Sequence, residues 1–404
     1  MAGHARPAGR RRPLAWATGP VRRMWSSDEP LDCYALVHMA SAAGDALVAV
    51  ALADSVFFSL PVGQAKVKVA LYLALTMAPL AVAAPLLVPL LDRGGFRRAI
   101  SFAAAAGRAV AALYAAPRFA TVLLFPSAFA LLALSRVHAI TKNGLTMAYA
   151  PAGEGLVRSN ARLGRVAVAG ALAASVPGVA VLKLGGAQSV LNLAAAVYVV
   201  AALMNLRLPQ PRVPAASGAV GRGGRVPSLA TVAAVIAALR GASAFLLFLL
   251  AFALRGRGQP AYWFGVLAAS ATAGGFLGDV VAPRLPAGLR EEAVVVGALL
   301  GAGAGAVVAF LEFRLALLAG FAVLAGMAAE LGRLAFQSLM QRSAPGGAHG
   351  RVFVRYEVLF QLAWVAGALL PAILPISFRT GVLVMAVFYL GIGLAHLTRP
   401  WTAG

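Results

Sequence analysis

The sequence predicts an all-α polytopic membrane protein: twelve transmembrane helices in two six-helix parallel repeats around a central cavity. Three observations lead there. Only 12% of the 404 residues are charged and 61% are hydrophobic, whereas soluble domains carry about 25% charged residues. Apolar runs recur from Leu31 to Leu397 between short polar breaks, and many reach the roughly 20 residues that cross a bilayer core. A segment of different composition, RLPQPRVPAASGAVGRGGRVP at 207–227, divides the runs into six and six. In hydrocarbon, backbone groups must bond within their own segment, so the spans are helices.

Residues 1–31 are rich in arginine and contain no apolar core long enough for a signal peptide. They read as a flexible cytoplasmic tail. The first half, 32–206, holds spans at 32–59, 67–91, 98–116, 119–140, 162–182 and 187–206. Its breaks carry Lys66 and Lys68, then Asp92 to Arg98, Arg118, the stretch 149–164, and Lys183. The Pro, Gly and Arg content of 207–227 marks a cytoplasmic linker. The second half, 228–398, holds spans at 228–254, 261–283, 292–311, 315–338, 352–374 and 378–398, and 399–404 is a short cytoplasmic end. Lys and Arg favour the tail, the linker and every second loop, which places both termini in the cytoplasm of a plasma-membrane protein. The net charge of +22 is thereby assigned to contacts with anionic membrane lipid and not to nucleic acid.

The halves repeat. Pro89, Leu91 and Gly94 recur 194 positions later as Pro283, Leu285 and Gly288. At the same offset, Ala150, Pro151 and Gly153 recur as Ala344, Pro345 and Gly347. Parallel six-helix repeats about an axis along the membrane normal are a transporter architecture.

The loop LLDRGGFRRA, after span 2, resembles the loop 2–3 signature of the major facilitator superfamily, with Asp92, Arg93, Gly95, Arg97 and Arg98 on the pattern. The leading Gly of that signature is absent; Val88 or Pro89 stands there. YAPAGEGLVRSNARLG (149–164) and QRSAPGGAHGRVF (341–353) are similar to the corresponding segments of its exporter-like branch. The resemblance implies alternating access through a central cavity lined mainly by spans 1, 4, 7 and 10. It also implies that Asp92 sits at the N-terminal end of span 11 and helps hold the cytoplasmic side closed, where the helix dipole favours a negative charge.

A charge at mid-bilayer costs about 2.5–3.5 kcal/mol even on the lenient insertion scale, so each buried charge requires a partner or an aqueous cavity. Asp45 in span 1 and Arg240 in span 7 differ by 195 positions, and Arg136 in span 4 and Glu330 in span 10 by 194. Two acids and two bases thus stand at repeat-related positions on the four spans expected around the cavity. Asp45 and Arg240 are expected to lie within reach of each other, or to share water, in at least one state of the cycle, as a static ion pair or as cavity polarity, a substrate contact or a protonation switch. Arg333 follows Glu330 at i+3 and shares its helix face. Arg108, on the usually peripheral third span, is expected to snorkel or to meet Asp92. Asp54 reads as interfacial, Glu357 as part of a cytoplasmic cluster with Arg355, and His138 as a packed or snorkelling side chain.

Soluble-enzyme chemistry has no motif here: no Walker A lysine, no H-E-x-x-H and no G-x-S-x-G. The five histidines lack metal spacing and Cys33 stands alone, so no cofactor, metal or disulfide framework is expected. The reading is a monomeric secondary transporter, not an enzyme, exporting a small amphipathic or apolar molecule, with exchange against protons as one mode. A lipid or lysolipid flippase and a non-transporting scaffold or assembly factor are the alternatives.

Overall fold

In the computed structural model, residues 27, 29–56, 96–119, 121, 123–151, 155–211, 229–256, 262–285, 291–343, 349–374 and 376–398 are described. Apart from two short 3₁₀ turns, Ala116–Arg118 and Ala282–Arg284, their regular structure is α-helical. The first half contributes α1 (Pro30–Val56), α2 (Arg97–Ala115) and α3 (Leu124–Tyr149). The continuous stretch Leu156–Asn205 is two helices, α4 (156–185) and α5 (187–205), which meet at Gly186. Gly186 has φ +70°, a backbone conformation that only glycine adopts without strain, so the chain breaks there. The second half contributes α6 (Leu229–Gly256), α7 (Tyr262–Val281), α8 (Glu291–Leu311), α9 (Leu315–Ser343), α10 (His349–Ile373) and α11 (Phe378–Thr398). The span expected at 67–91, the loop residues Asp92, Arg93 and Gly95, and linker residues 212–227 lie outside the described residues.

Eight stretches of the described chain are long and apolar enough to cross a membrane. Their exposed faces are what lipid requires. Val176 is 76% exposed, Leu184 90% and Val387 65%, large apolar groups that a water-facing surface would not collect in bands. On α2 one face is buried through Ser101, Ala104, Ala105, Arg108, Ala109 and Ala112, at helical spacing. The other face exposes Val110, Leu113 and Tyr114.

The helix pairing is itself repeated. In the first half α1 packs on the α4–α5 pair, and α2 packs on α3 and α5. In the second half α6 packs on α10 and α11, while α8 packs on α9 and α11. Small residues permit the closest approaches: a Cβ on Gly326 would strike the Ala271 carbonyl, and one on Gly367 the Gly241 carbonyl. These are packing seams within one half.

One end of the bundle, here the linker side, gathers the starts of α1, α2 and α4 with the ends of α3, α5 and α7. Arg97 Nη1 donates to the Gly144 carbonyl at 3.4 Å, Arg98 Nη2 to the Leu206 carbonyl at 2.9 Å, and Tyr149 Oη to the Pro209 carbonyl at 2.7 Å. At this end the helices outlast the apolar runs. α3 continues nine residues past the expected limit of 140, to Tyr149, and α4 begins at Leu156, not 162. Lys142, Asn143, Thr146, Ser159 and Asn160 are buried against neighbouring helices, so hydropathy alone cannot mark these ends.

Candidate functional site

Two polar stripes define the interior of the first half. On α1, His38, Ser41 and Asp45 share a face; on α3, Ser135, His138 and Lys142 do. Where the stripes meet, Ser135 Oγ donates to Asp45 Oδ2 at 3.1 Å. One turn away, His38 Nδ1 and His138 Nε2 are 3.1 Å apart, with the rings stacked at a 5.4 Å centroid separation. One of those two nitrogens carries the shared proton. The remaining His138 nitrogen, Nδ1, is buried without a hydrogen-bond partner among the described residues.

Asp45 does not reach Arg240. Its carboxylate accepts from Arg108 Nη1 at 3.0 Å and from Tyr198 Oη at 2.6 Å, in addition to Ser135. Arg108 is completely buried; its other donors reach Ser41 Oγ at 3.2 Å and the Ala104 carbonyl at 3.1 Å. The guanidinium also lies 4.7 Å from the centre of the Tyr198 ring, in cation–π range. In this structure Asp45 and Arg240 stand apart and Arg108 takes the place beside Asp45, for one reason. The rotation of α1 turns its polar stripe toward α2, α3 and α5, and repeat symmetry equates positions without stating which way they face. Arg108 therefore neither snorkels nor serves a peripheral helix; it neutralises Asp45 and ties four helices together.

The two halves meet through charge on the linker side. Arg136 of α3 pairs with Glu357 of α10 at 3.5 Å. Glu357 was expected beside Arg355 in a cytoplasmic cluster; its place early in α10 instead points it across the interface. Arg165 of α4 donates through Nη1 to the Asp279 carbonyl of α7 at 2.6 Å. The approach is close because residue 164 is glycine: a Cβ there would collide with the Asp279 carboxylate. Asp279, 2% exposed, faces Arg333 of α9 at 3.6 Å. Arg333 binds Glu330 through Nε at 2.9 Å and also through Nη2, and donates to Gln337 Oε1 at 2.9 Å. The expected i,i+3 pair of Glu330 and Arg333 is thus present, within a larger network. Arg136 and Glu330, related by the repeat, do not pair.

Ile140 of α3 packs into the core of the second half beside these contacts. Among the described residues the hydrogen-bonded links between halves, Arg136–Glu357 and Arg165–Asp279, all lie on the linker side. Arg240 of α6 stands in the field of Glu357, Arg333, Arg136 and Glu330, but no described carboxylate comes within ion-pair distance of it. Of the loop signature, Arg97 and Arg98 brace α2 against α3 and α5 inside the first half; Asp92, Arg93 and Gly95 fall outside the described residues. Asp279, Arg165, His38 and Lys142 were not singled out from sequence. The 38–41–45 and 135–138–142 spacings were the signal for two of them.

This arrangement of two helical halves is matched by solved structures over nearly their whole length. A bacterial homologue of the iron transporter ferroportin in its outward-facing state superposes with a TM-score of 0.65 at 16% identity, covering 92% of this chain and 99% of that one. The chain has the major facilitator superfamily fold. The Escherichia coli fucose:proton symporter superposes at 0.62 and 15% identity, covering 93% and 99%; the human organic anion transporter MFSD10 at 0.62 and 18%, covering 93% and 98%. That fold has twelve helices in two repeats. No protein-family model matches the sequence. Proteins of Mycobacterium leprae and Mycobacterium tuberculosis, both described only as uncharacterised, are 37% and 35% identical over 182 and 188 residues. Those alignments cover 41% and 43% of this chain, and the chain spans about a third of the length of these curated relatives.

Proposed function

We propose that this protein is a secondary active transporter that works by alternating access and exports a small amphipathic molecule across the plasma membrane. One observation carries the reading: among the described residues the hydrogen-bonded contacts between the halves, Arg136–Glu357 and Arg165 to the Asp279 carbonyl, lie on the linker side. A gate closed by one partly exposed ion pair and one hydrogen bond to a main-chain carbonyl can open at modest cost, since a partly exposed pair is worth about 0–1 kcal/mol. A scaffold gains nothing from so weak and one-sided an interface. The linker side carries Arg97, Arg98, Arg158, Arg162 and Arg284, which supports reading it as the cytoplasmic side and the structure as outward-facing. The outward-facing ferroportin homologue among the structural neighbours supports that assignment. Export, and exchange against protons, rest on the similarity of 149–164 and 341–353 to the exporter-like branch.

The test uses the single native cysteine, Cys33, replaced by alanine. Arg158 on α4 and Arg284 after α7 are both exposed on the linker side, one in each half. With cysteines at both, a short bifunctional thiol reagent should block efflux of amphipathic fluorescent probes from proteoliposomes. A reducible version of the reagent should restore efflux after reduction. Undiminished efflux in the cross-linked protein would contradict alternating access.

A further inference from the structure

Four carboxylates lie in the described interior: Asp45, Asp279, Glu330 and Glu357. Every other acid is near a terminus, in a loop or at a helix end: Asp28, Glu29, Asp32, Asp54, Asp92, Glu154, Glu291, Glu292 and Glu312. Residues 57–91 contain no acid at all, so the span expected there adds none. Against these four stand six interior cations: Arg108, Arg136, Lys142, Arg165, Arg240 and Arg333. The geometry assigns most of them. Asp45 is held by Arg108, Glu357 by Arg136, and Glu330 with Asp279 by Arg333, while Arg165 donates to the main-chain carbonyl of Asp279.

Lys142 and Arg240 remain. Lys142 is 8% exposed, and its ammonium has no acceptor among the described residues. Arg240 has no carboxylate within ion-pair distance among the described residues, and as a guanidinium it cannot shed its charge. The repeat explains how this arises. The position 195 residues after Arg108 is Gly303, which packs on Leu390, so the second half has no ionisable side chain at the position from which Arg108 serves Asp45 in the first half. Lys142 and Arg240 come from opposite halves, and both lie in the field of Glu330, Arg333 and Glu357. Unpaired cations between two halves that must separate are costly in a low-dielectric interior unless a counter-charge arrives.

We infer that the transported molecule is an organic anion whose negative group is bound by Arg240, with Lys142 as the second cation across the interface. This rests on the transporter reading above and names its substrate class.

Three probes that share one fluorophore separate charge from shape: dansylglycine (anion), its methyl ester (neutral) and dansylcadaverine (cation). Saturable fluorescence enhancement on the purified full chain in lipid nanodiscs is expected to be at least tenfold tighter for dansylglycine than for the other two. Arg240→Gln should bring that ratio close to one, and Arg240→Lys should keep most of it. Lys142→Gln should reduce it several-fold, which provides a reading even where Arg240→Gln does not fold. A parent protein that binds or moves the ester or the cation as well as the anion would overturn the inference and leave the transporter reading intact. So would a preference unchanged in both Arg240→Gln and Lys142→Gln. Loss of the transporter reading shows differently, as the absence of any conformational exchange between the two ends.

Discussion

Arg108, buried completely on α2, closes a 3.0 Å ion pair on Asp45 of α1, and Tyr198 donates to the same carboxylate oxygen at 2.6 Å. This pair belongs to the interior of one half and not to the interface between halves. Its energetic role follows from that location. A charge pair that ties α1, α2, α3 and α5 keeps the six-helix unit rigid while the unit moves as a body, which is how repeats rock in alternating access.

Removing one partner should be worse than removing both. Asp45→Ala leaves Arg108 buried and unpaired, at a cost of about 3–5 kcal/mol, whereas the double change Asp45→Ala/Arg108→Leu replaces the pair with apolar packing. Thermal unfolding in detergent should show the double variant close to the parent and each single variant well below it. Additive losses would mean that the pair does not hold the half together.

The Arg136–Glu357 contact is partly exposed, at 32% and 14% of the two side chains, so its strength is modest. Breaking it with Glu357→Gln should shift the balance between inward- and outward-open forms by about 1 kcal/mol, or roughly fivefold. The exchange Arg136→Glu/Glu357→Arg should restore the balance. Accessibility of a linker-side cysteine to a membrane-impermeant maleimide, read in inverted vesicles, measures the shift. No change in Glu357→Gln would remove this pair from the gate.

Two glycines separate folding from gating. Gly326→Leu forces α9 away from the Ala271 carbonyl within one half and should destabilise the fold by about 3 kcal/mol, the upper end of overpacking costs. Gly164→Val strikes the Asp279 carboxylate across the halves. It should leave thermal stability nearly unchanged while increasing linker-side cysteine reactivity. Equal loss of stability in both variants would contradict the division into two moving halves.

Topology is open to direct reading in the Cys33→Ala background. Cysteines at Gly63, Lys183 and Gly256 should react from outside the cell, and those at Gly95, Ser217 and Gly347 only from inside. Labelling with the sides exchanged would overturn the orientation.

The helices were legible because an apolar run in lipid has only one way to satisfy its backbone. The Glu330–Arg333 contact was legible because residues three apart on a helix share a face. The partner of Asp45 was not. Sequence offset placed Arg240 at the equivalent position of the other half, but contact depends on the rotation of α1, and that is set by packing of its whole stripe. The stripe itself, His38–Ser41–Asp45 facing Ser135–His138–Lys142, was present as spacing in both segments. Recognising it requires knowing that the two helices are adjacent. Asp279 was hidden differently: it is near the end of its span, and it is buried by the approach of Gly164 from the other half together with Arg333 of α9.

The central claim is that the halves rock about the interior, opening one end as the other closes. Distances between spin labels test it in one experiment on the full chain in nanodiscs. One pair, Arg158→Cys with Arg284→Cys, spans the halves on the linker side; a second, Lys183→Cys with Arg314→Cys, spans exposed positions at the other end. Adding dansylglycine, or weakening the gate with Glu357→Gln, should lengthen the first distance and shorten the second in the same sample conditions. Two distances that stay fixed, or that change in the same direction, would contradict the account.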